Sequence, residues 1–386
     1  MVAHGLPLML EHPLAMGSAR NWLRLLSNAE GIDVRYLPRA LFVMTTTLLT
    51  SPLRLAERLG YGNAVRSTAI HPAPIFVLGH WRTGTTHLHL LLCQDPQLGY
   101  VSTFQALAPG FCLVGRGLIE RIVAFWMENS HPTRLIDNVP LRIDAPQEEE
   151  FALGNSTPHS FLHVFSFPRQ AADLFARDTL FQDLSPQARA EWSDRYLEIL
   201  RKATLQAGGK RLVLKNPAHS ARIRALLELF PEARFIHMCR NPYDLFLSTK
   251  KLWQVVLPRS QLQAIGPEEI ERLILQFFVQ LVQRYLADRE LIPPGNLVEV
   301  RFEDLEADPL AEVSRVYDVL GLPGLAHVEP RLRAYLASVA GYRKNSYELT
   351  ADVIEQVNRH WSFAFDVWGY RRLEPSAACD AGQAAD

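Results

Sequence analysis

Cysteine is scarce: Cys93, Cys112, Cys239 and Cys379 lie far apart in 386 residues, with no CxxC pair. That scarcity excludes a disulfide framework and a cysteine-held metal cluster, and it fits a reduced cytoplasm. Charge of one sign is missing as well, the formal balance being −1 at pH 7. No bulk field therefore draws the chain to nucleic acid, and any anion site must be built from a few placed cations. The N-terminus has no basic region ahead of its apolar residues and carries Glu11 among them, so it does not read as a signal peptide. Long apolar runs are absent too. The most lipid-like stretch, ALFVMTTTLLTSPL at 40–53, is broken by threonines and Pro52 and is shorter than the roughly 18 residues a membrane span needs. Its basic flanks Arg35, Arg39 and Arg54 leave two readings open. It is either a helix packed on the protein's own core or an amphipathic segment at a membrane interface, on the cytoplasmic face or at a lipid-substrate entrance.

What is present is ordinary for a soluble globular protein, with 48% hydrophobic and 21% charged residues. Apolar runs of strand type occur at 74–79, 211–215, 233–239 and 296–300, separated by segments of helical period. Alternating β and α segments predict an α/β fold: a central parallel sheet with helices on both faces, in three layers. Capping residues followed by proline, Ser185-Pro186, Asn241-Pro242 and Asp308-Pro309, mark helix starts. Residues 266–290 form a long amphipathic helix with acids in its first turn. Residues 1–70 read as a helical prelude, 71–373 as the main domain and 374–386 as a disordered tail.

The first strand runs into GHWRTGTTHLH, residues 79–89. A strand, a glycine-containing loop and a helix start bring backbone N–H groups and the positive end of a helix dipole to one point, where a phosphate binds. The spacing follows the nucleotide-binding P-loop, but Thr85 stands where that motif has its lysine. After the strand at 233–239 comes Arg240 in place of a magnesium-holding acid, with Ser248 two turns along. An arginine there grips an anion and not a metal. Each half alone has a plain structural reading: a tight strand-to-helix connection, and a capped helix start beside a surface charge. In this order and context the two together point to one nucleotide with phosphates at two positions, bound at the carboxyl edge of the sheet.

On HWRTGTTH and on Arg240 with Ser248 the sequence resembles the sulfotransferases that use 3′-phosphoadenosine 5′-phosphosulfate (PAPS). LVLKNPAHSARIRALLELFPEARFIHMCRNPYD, VEVRFEDLEADP, DAPQEEEFAL and the late YRKNSYEL and WGY stretches extend the resemblance over roughly 70–372. It implies a P-loop-like fold in which Arg82, Thr83, Gly84, Thr85 and Thr86 bind the 5′-phosphosulfate and Arg240 and Ser248 the 3′-phosphate. Lys215 would touch the sulfonate, and Arg343 and Lys344 would close over the 3′-phosphate. Two positions depart from the family pattern. His87 follows the loop where an adenine-stacking aromatic often stands, and Phe302 keeps the ring of a family tyrosine without its hydroxyl.

Sulfonate transfer resembles phosphoryl transfer in depending on positioning and electrostatics, and this reasoning requires no metal. Lys215 and Arg82 are expected to neutralise the leaving 5′-phosphate. For the base, Glu148 and Glu150 of PQEEEF come first, on the expectation that crowding by Glu149 and Asp144 and partial burial raise a carboxyl pKa. His219 is the rival, and a solvated acidic helix start is the structural alternative for the three glutamates. The acceptor is expected to be a small hydroxylated molecule, a lipid-like alcohol or phenol in particular. A P-loop kinase and a non-catalytic nucleotide- or lipid-binding module are the competing readings.

Overall fold

The structure is a computed structural model that describes residues 12–130, 133, 136, 141–341 and 347–375. Five strands form one parallel sheet: β1 (Ile75–Gly79), β2 (Leu98–Gly99), β3 (Arg211–Lys215), β4 (Arg234–Cys239) and β5 (Leu297–Arg301). Their order is β2-β3-β1-β4-β5, so β1 lies at the centre between β3 and β4. Register places Val77 beside Lys215 and Gly79 beside Met238, which brings the carboxyl ends of the three central strands together. Four strands were legible as apolar runs. The two-residue edge strand β2 was not, because so short a pairing leaves no periodic pattern.

All five residues of β1 are buried, and alternate side chains enter different layers. Phe76 and Leu78 pack with Trp192, Tyr196, Ile223 and Leu226, from the helices Pro186–Gln206 and Ile223–Leu229. Ile75 and Val77 pack with Leu88, Val313, Val316 and Val328 on the other face, from the helices Thr85–Leu92, Pro309–Val319 and Leu325–Ser338. This is the three-layer α/β/α arrangement. The marked helix starts are capped: Ser185 Oγ accepts from Ala188 N–H, Asn241 Oδ1 from Tyr243 N–H and Asp308 Oδ1 from Ala311 N–H.

The early helices belong to a third cluster, in which Trp22, Tyr36, Ala40 and Val43 pack with Phe161, Phe246 and Phe278. Within 40–53 one side is thus core, but Leu41, Leu48 and Leu49 point outward. Two of the expected basic flanks face inward. Arg39 is fully buried and donates to the carbonyls of Gln261 and Pro258 at 2.7 and 2.6 Å. Arg54 is half-buried and donates to Thr50 Oγ1 at 2.8 Å and to Thr47 O, because a guanidinium near a helix's last carbonyls replaces water as their partner. No helix among the described residues is long and apolar enough to cross a membrane. From residue 376 the expected tail lies outside the described residues.

Candidate active site

The loop after β1 closes on itself before its helix begins. Thr83 Oγ1 donates to His80 O at 2.7 Å, and Ser220 Oγ both accepts from Gly79 N–H and donates to Gly79 O, at 2.8 and 3.1 Å. Arg82 holds φ 78 and Gly84, the cap residue of Thr85–Leu92, holds φ 89. Left-handed backbone in a residue with a Cβ is uncommon and marks sites where geometry is imposed. Gly84 is required for a second reason: a Cβ there would stand 2.3 Å from Cδ2 of Phe302. The open N–H groups of the helix's first turn and its dipole face the same point. Thr83 and Thr85 are buried, while Arg82, Thr86 and His87 are half-buried.

The segment expected to hold the second anion lies against the loop after β1. Arg82 Nε donates to Ser248 Oγ at 3.0 Å, and Arg240 Nη1 donates to Arg82 O at 3.1 Å. The Arg240 guanidinium stacks over the Phe302 ring, 4.5 Å from its centroid. Tyr347, just beyond the YRKNS stretch, reaches Ser248 with its hydroxyl at 3.3 Å. Arg343 and Lys344 themselves lie outside the described residues. Glu303 anchors the backbone next to Arg240, accepting from Asn241 N–H and from Tyr370 OH, both at 2.8 Å.

At the end of β3 the three consecutive glutamates meet three groups spaced four and three residues apart. Glu148 pairs with Lys215 Nζ, Glu149 Oε1 lies 3.4 Å from His219 Nε2, and Glu150 Oε2 accepts from Arg222 Nη1 at 2.8 Å. Glu149 also accepts from Tyr196 OH at 3.1 Å and from Lys215 N–H at 3.2 Å. Glu150 further accepts from Asn216 Nδ2 at 2.6 Å, Phe161 N–H at 2.7 Å and Ser160 Oγ at 2.8 Å. The structure therefore has no solvated acidic helix start here. A model of the sulfotransferase family matches residues 74–326.

The chain belongs to the sulfotransferase family. Over 359 residues it is 32% identical to the omega-hydroxy-beta-dihydromenaquinone-9 sulfotransferase Stf3 of Mycobacterium bovis, spanning 92% of this chain and 91% of that protein. The Stf3 protein of Mycobacterium tuberculosis matches to the same extent. Among solved structures, the sulfotransferase STF1 of Mycobacterium tuberculosis shares the fold with a TM-score of 0.66 at 22% identity, over 88% of this chain and 90% of that one. STF9 of Mycobacterium avium follows with 0.61 at 22% identity, over 91% and 96%.

The electrostatics of this sulfotransferase separate its acids. Burial alone would raise the Glu150 carboxyl, but the Arg222 charge and the hydrogen bonds outweigh it and hold the pKa down to about 2. The expectation of a raised value is thus reversed at Glu150, because a buried guanidinium and not another carboxylate is its nearest charge. Asp144 stands away from the cluster, paired with Arg142 at 2.7 Å. His219 is wholly buried against Tyr196, Trp192 and Phe76, and burial lowers its pKa. Its ring nitrogens face Glu149 and Arg222. Of the three glutamates Glu148 is the one that meets solvent, its side chain 14% exposed against 0% for Glu149 and 3% for Glu150.

Sequence reasoning named Glu149 as a neighbour that crowds the base candidates, and it passed over Ser220, Arg222 and Tyr347. Arg222 had a signal, since it follows Lys215 and His219 at spacings of seven and three just after a strand. Ser220 and Tyr347 had none, since each acts on a residue 99 or more positions away.

Proposed function

We propose that this sulfotransferase transfers the sulfonate of PAPS to a hydroxyl of a lipid-like acceptor, in the class of the omega-hydroxylated menaquinone named for Stf3. The observation that carries the reading is the junction of the two anion sites, Arg82 to Ser248 at 3.0 Å and Arg240 to Arg82 O at 3.1 Å. One carrier with phosphates at both ends fits such a pair of sites better than any single-phosphate ligand does. In this reading Arg82, Thr83, Gly84, Thr85 and Thr86 hold the 5′-phosphosulfate, and Arg240 and Ser248 hold the 3′-phosphate, with His87 and Phe302 toward the adenine.

The acceptor oxygen forms a bond to sulfur while the bond from sulfur to the 5′-phosphate oxygen breaks, its electron pair leaving with the phosphate. Lys215 and Arg82 meet that growing charge; a fixed donor of this kind accounts for about 10²- to 10³-fold in rate. The hydroxyl proton goes to Glu148, the glutamate open to solvent, whose present partner Lys215 turns to the donor when the donor binds. Glu150 and Arg222 form the scaffold that fixes Asn216 and the turn after β3, and His219 serves the same scaffold.

The test supplies PAPS carrying a labelled sulfonate with a detergent-dispersed isoprenoid quinone that bears a hydroxyl at the end of its tail, and γ-labelled ATP in parallel. Label in the quinone together with release of 3′-phosphoadenosine 5′-phosphate (PAP) supports the reading. Label transferred from ATP, or PAP bound without turnover of PAPS on any hydroxylated lipid, refutes it.

A further inference from the structure

The apolar surface of this molecule is concentrated. Among the described residues, twelve of the sixteen exposed large apolar side chains fall within 34–61 and 118–126. They form helical stripes: Leu48, Leu55 and Leu59 along the helices Leu37–Leu49 and Ser51–Ser67, and Leu118, Ile122 and Phe125 along Leu118–Ser130. Phe125 is 71% exposed and Leu59 78%, which a soluble chain does not retain in a row without a partner. The inner sides of both helical segments are already satisfied. Leu53 and Val65 from one, and Ile119 and Val123 from the other, pack on a single cluster with Phe104 and Phe111. The outward stripes therefore flank one cluster and are not core waiting to be filled.

Charge identifies what covers them. Residues 34–68 contain one acid, Glu57, which is buried and paired with Lys202 at 2.8 Å. Arg35, Arg58 and Arg66 are exposed on the same segment, and Arg116 and Arg121 are exposed at the start of the other. Glu120 is half-buried and turned to Gly117 N–H, which leaves Glu128 as the exposed acid of that helix. Apolar stripes rimmed by arginine and nearly free of exposed acid match an anionic lipid surface, where acyl chains take the leucines and headgroups the guanidinium groups. A second copy of this face would set arginine against arginine.

The same cluster leads to the reaction site. Ile143 packs on it, and from there residues 143–147 run beside 101–104, with Phe104 N–H to Ile143 O at 2.9 Å and Gln147 N–H to Val101 O at 2.9 Å, up to Glu148. We infer that the outward faces of Leu37–Leu49, Ser51–Ser67 and Leu118–Ser130 dock on an anionic bilayer and take the acceptor directly from it. The inference rests on the lipid-like acceptor proposed above.

The experiment sediments the full chain, without donor, with phosphatidylcholine vesicles that contain or lack phosphatidylglycerol. The expected result is co-sedimentation with the anionic vesicles, weakened by salt. Ile122→Glu with Phe125→Glu should lower partitioning by about tenfold or more, with an unchanged circular dichroism spectrum and unchanged transfer to detergent-dispersed acceptor. Arg58→Gln and Arg121→Gln should each lower it about fivefold. A chain that stays in the supernatant with anionic vesicles overturns the inference, as does lipid-free sedimentation equilibrium showing a dimer that Ile122→Glu with Phe125→Glu dissolves. Docking without transfer in the detergent assay would sink the proposed function alone; transfer without docking would sink this inference alone.

Discussion

Gly84→Ala tests the junction of loop, ring and arginine in one substitution. The backbone there is left-handed at φ 89, which costs a residue bearing a Cβ roughly 1–2 kcal/mol. The new methyl would also stand 2.3 Å from Cδ2 and 2.9 Å from Cε2 of Phe302, well inside the roughly 3.5–4 Å at which carbons rest. The ring must move by about 1 Å, an overpacking cost of about 1–3 kcal/mol. Together the variant should lose about 2–5 kcal/mol of stability, read as a lower urea midpoint. Because Arg240 lies 4.5 Å over that ring, the ring carries the guanidinium with it. Losing a charged hydrogen bond to phosphate is worth about 1.5–3 kcal/mol, so PAP affinity by calorimetry should fall on the order of 10- to 100-fold. The double variant Gly84→Ala with Phe302→Ala removes the overlap while keeping the φ penalty, and the cycle should show coupling of about 1–3 kcal/mol. If the single variant keeps full stability and affinity, or the cycle shows no coupling, the ring does not set the position of Arg240.

Glu148→Gln should leave PAP affinity near the parent value and lower single-turnover transfer by about 10²- to 10⁴-fold; full activity would remove Glu148 from the base role. Lys215→Ala should cost about 10²- to 10³-fold in kcat with the fold intact by circular dichroism. Arg222→Met leaves the Glu150 charge buried without its partner, which should destabilise the protein by about 3–5 kcal/mol in a urea titration. Glu150 also sets an acid limit. Its carboxyl is held at about 2 in the fold against 4.5 unfolded, so it stabilises the protein above pH 4.5 and that contribution, on the order of 3 kcal/mol, is lost as pH falls toward 2. Glu150→Gln should therefore flatten the loss of stability across that window, and an unchanged acid transition would show that the Arg222 pair does not hold the carboxyl down.

The sequence alone determined the local pieces. A continuous apolar run buried on both faces gives β1, and Ser185, Asn241 and Asp308 cap their helices through bonds that reach only two or three residues on. The loop at 79–86 is likewise readable, since Thr83 bonds its neighbour His80 and Gly84 caps the helix it opens. The tertiary structure decided how the site works. Glu148, Glu149 and Glu150 are chemically alike and adjacent in sequence, but their partners Lys215, His219 and Arg222 stand 66 or more residues away. Which carboxylate is reachable and which is clamped depends on a short helix start meeting the turn after β3. Arg82 and Ser248 are 166 residues apart and meet because β1 and β4 are neighbours in the sheet. Burial and charge are properties of the assembled neighbourhood, so a carboxyl expected to have a raised pKa has a lowered one once the fold sets an arginine beside it.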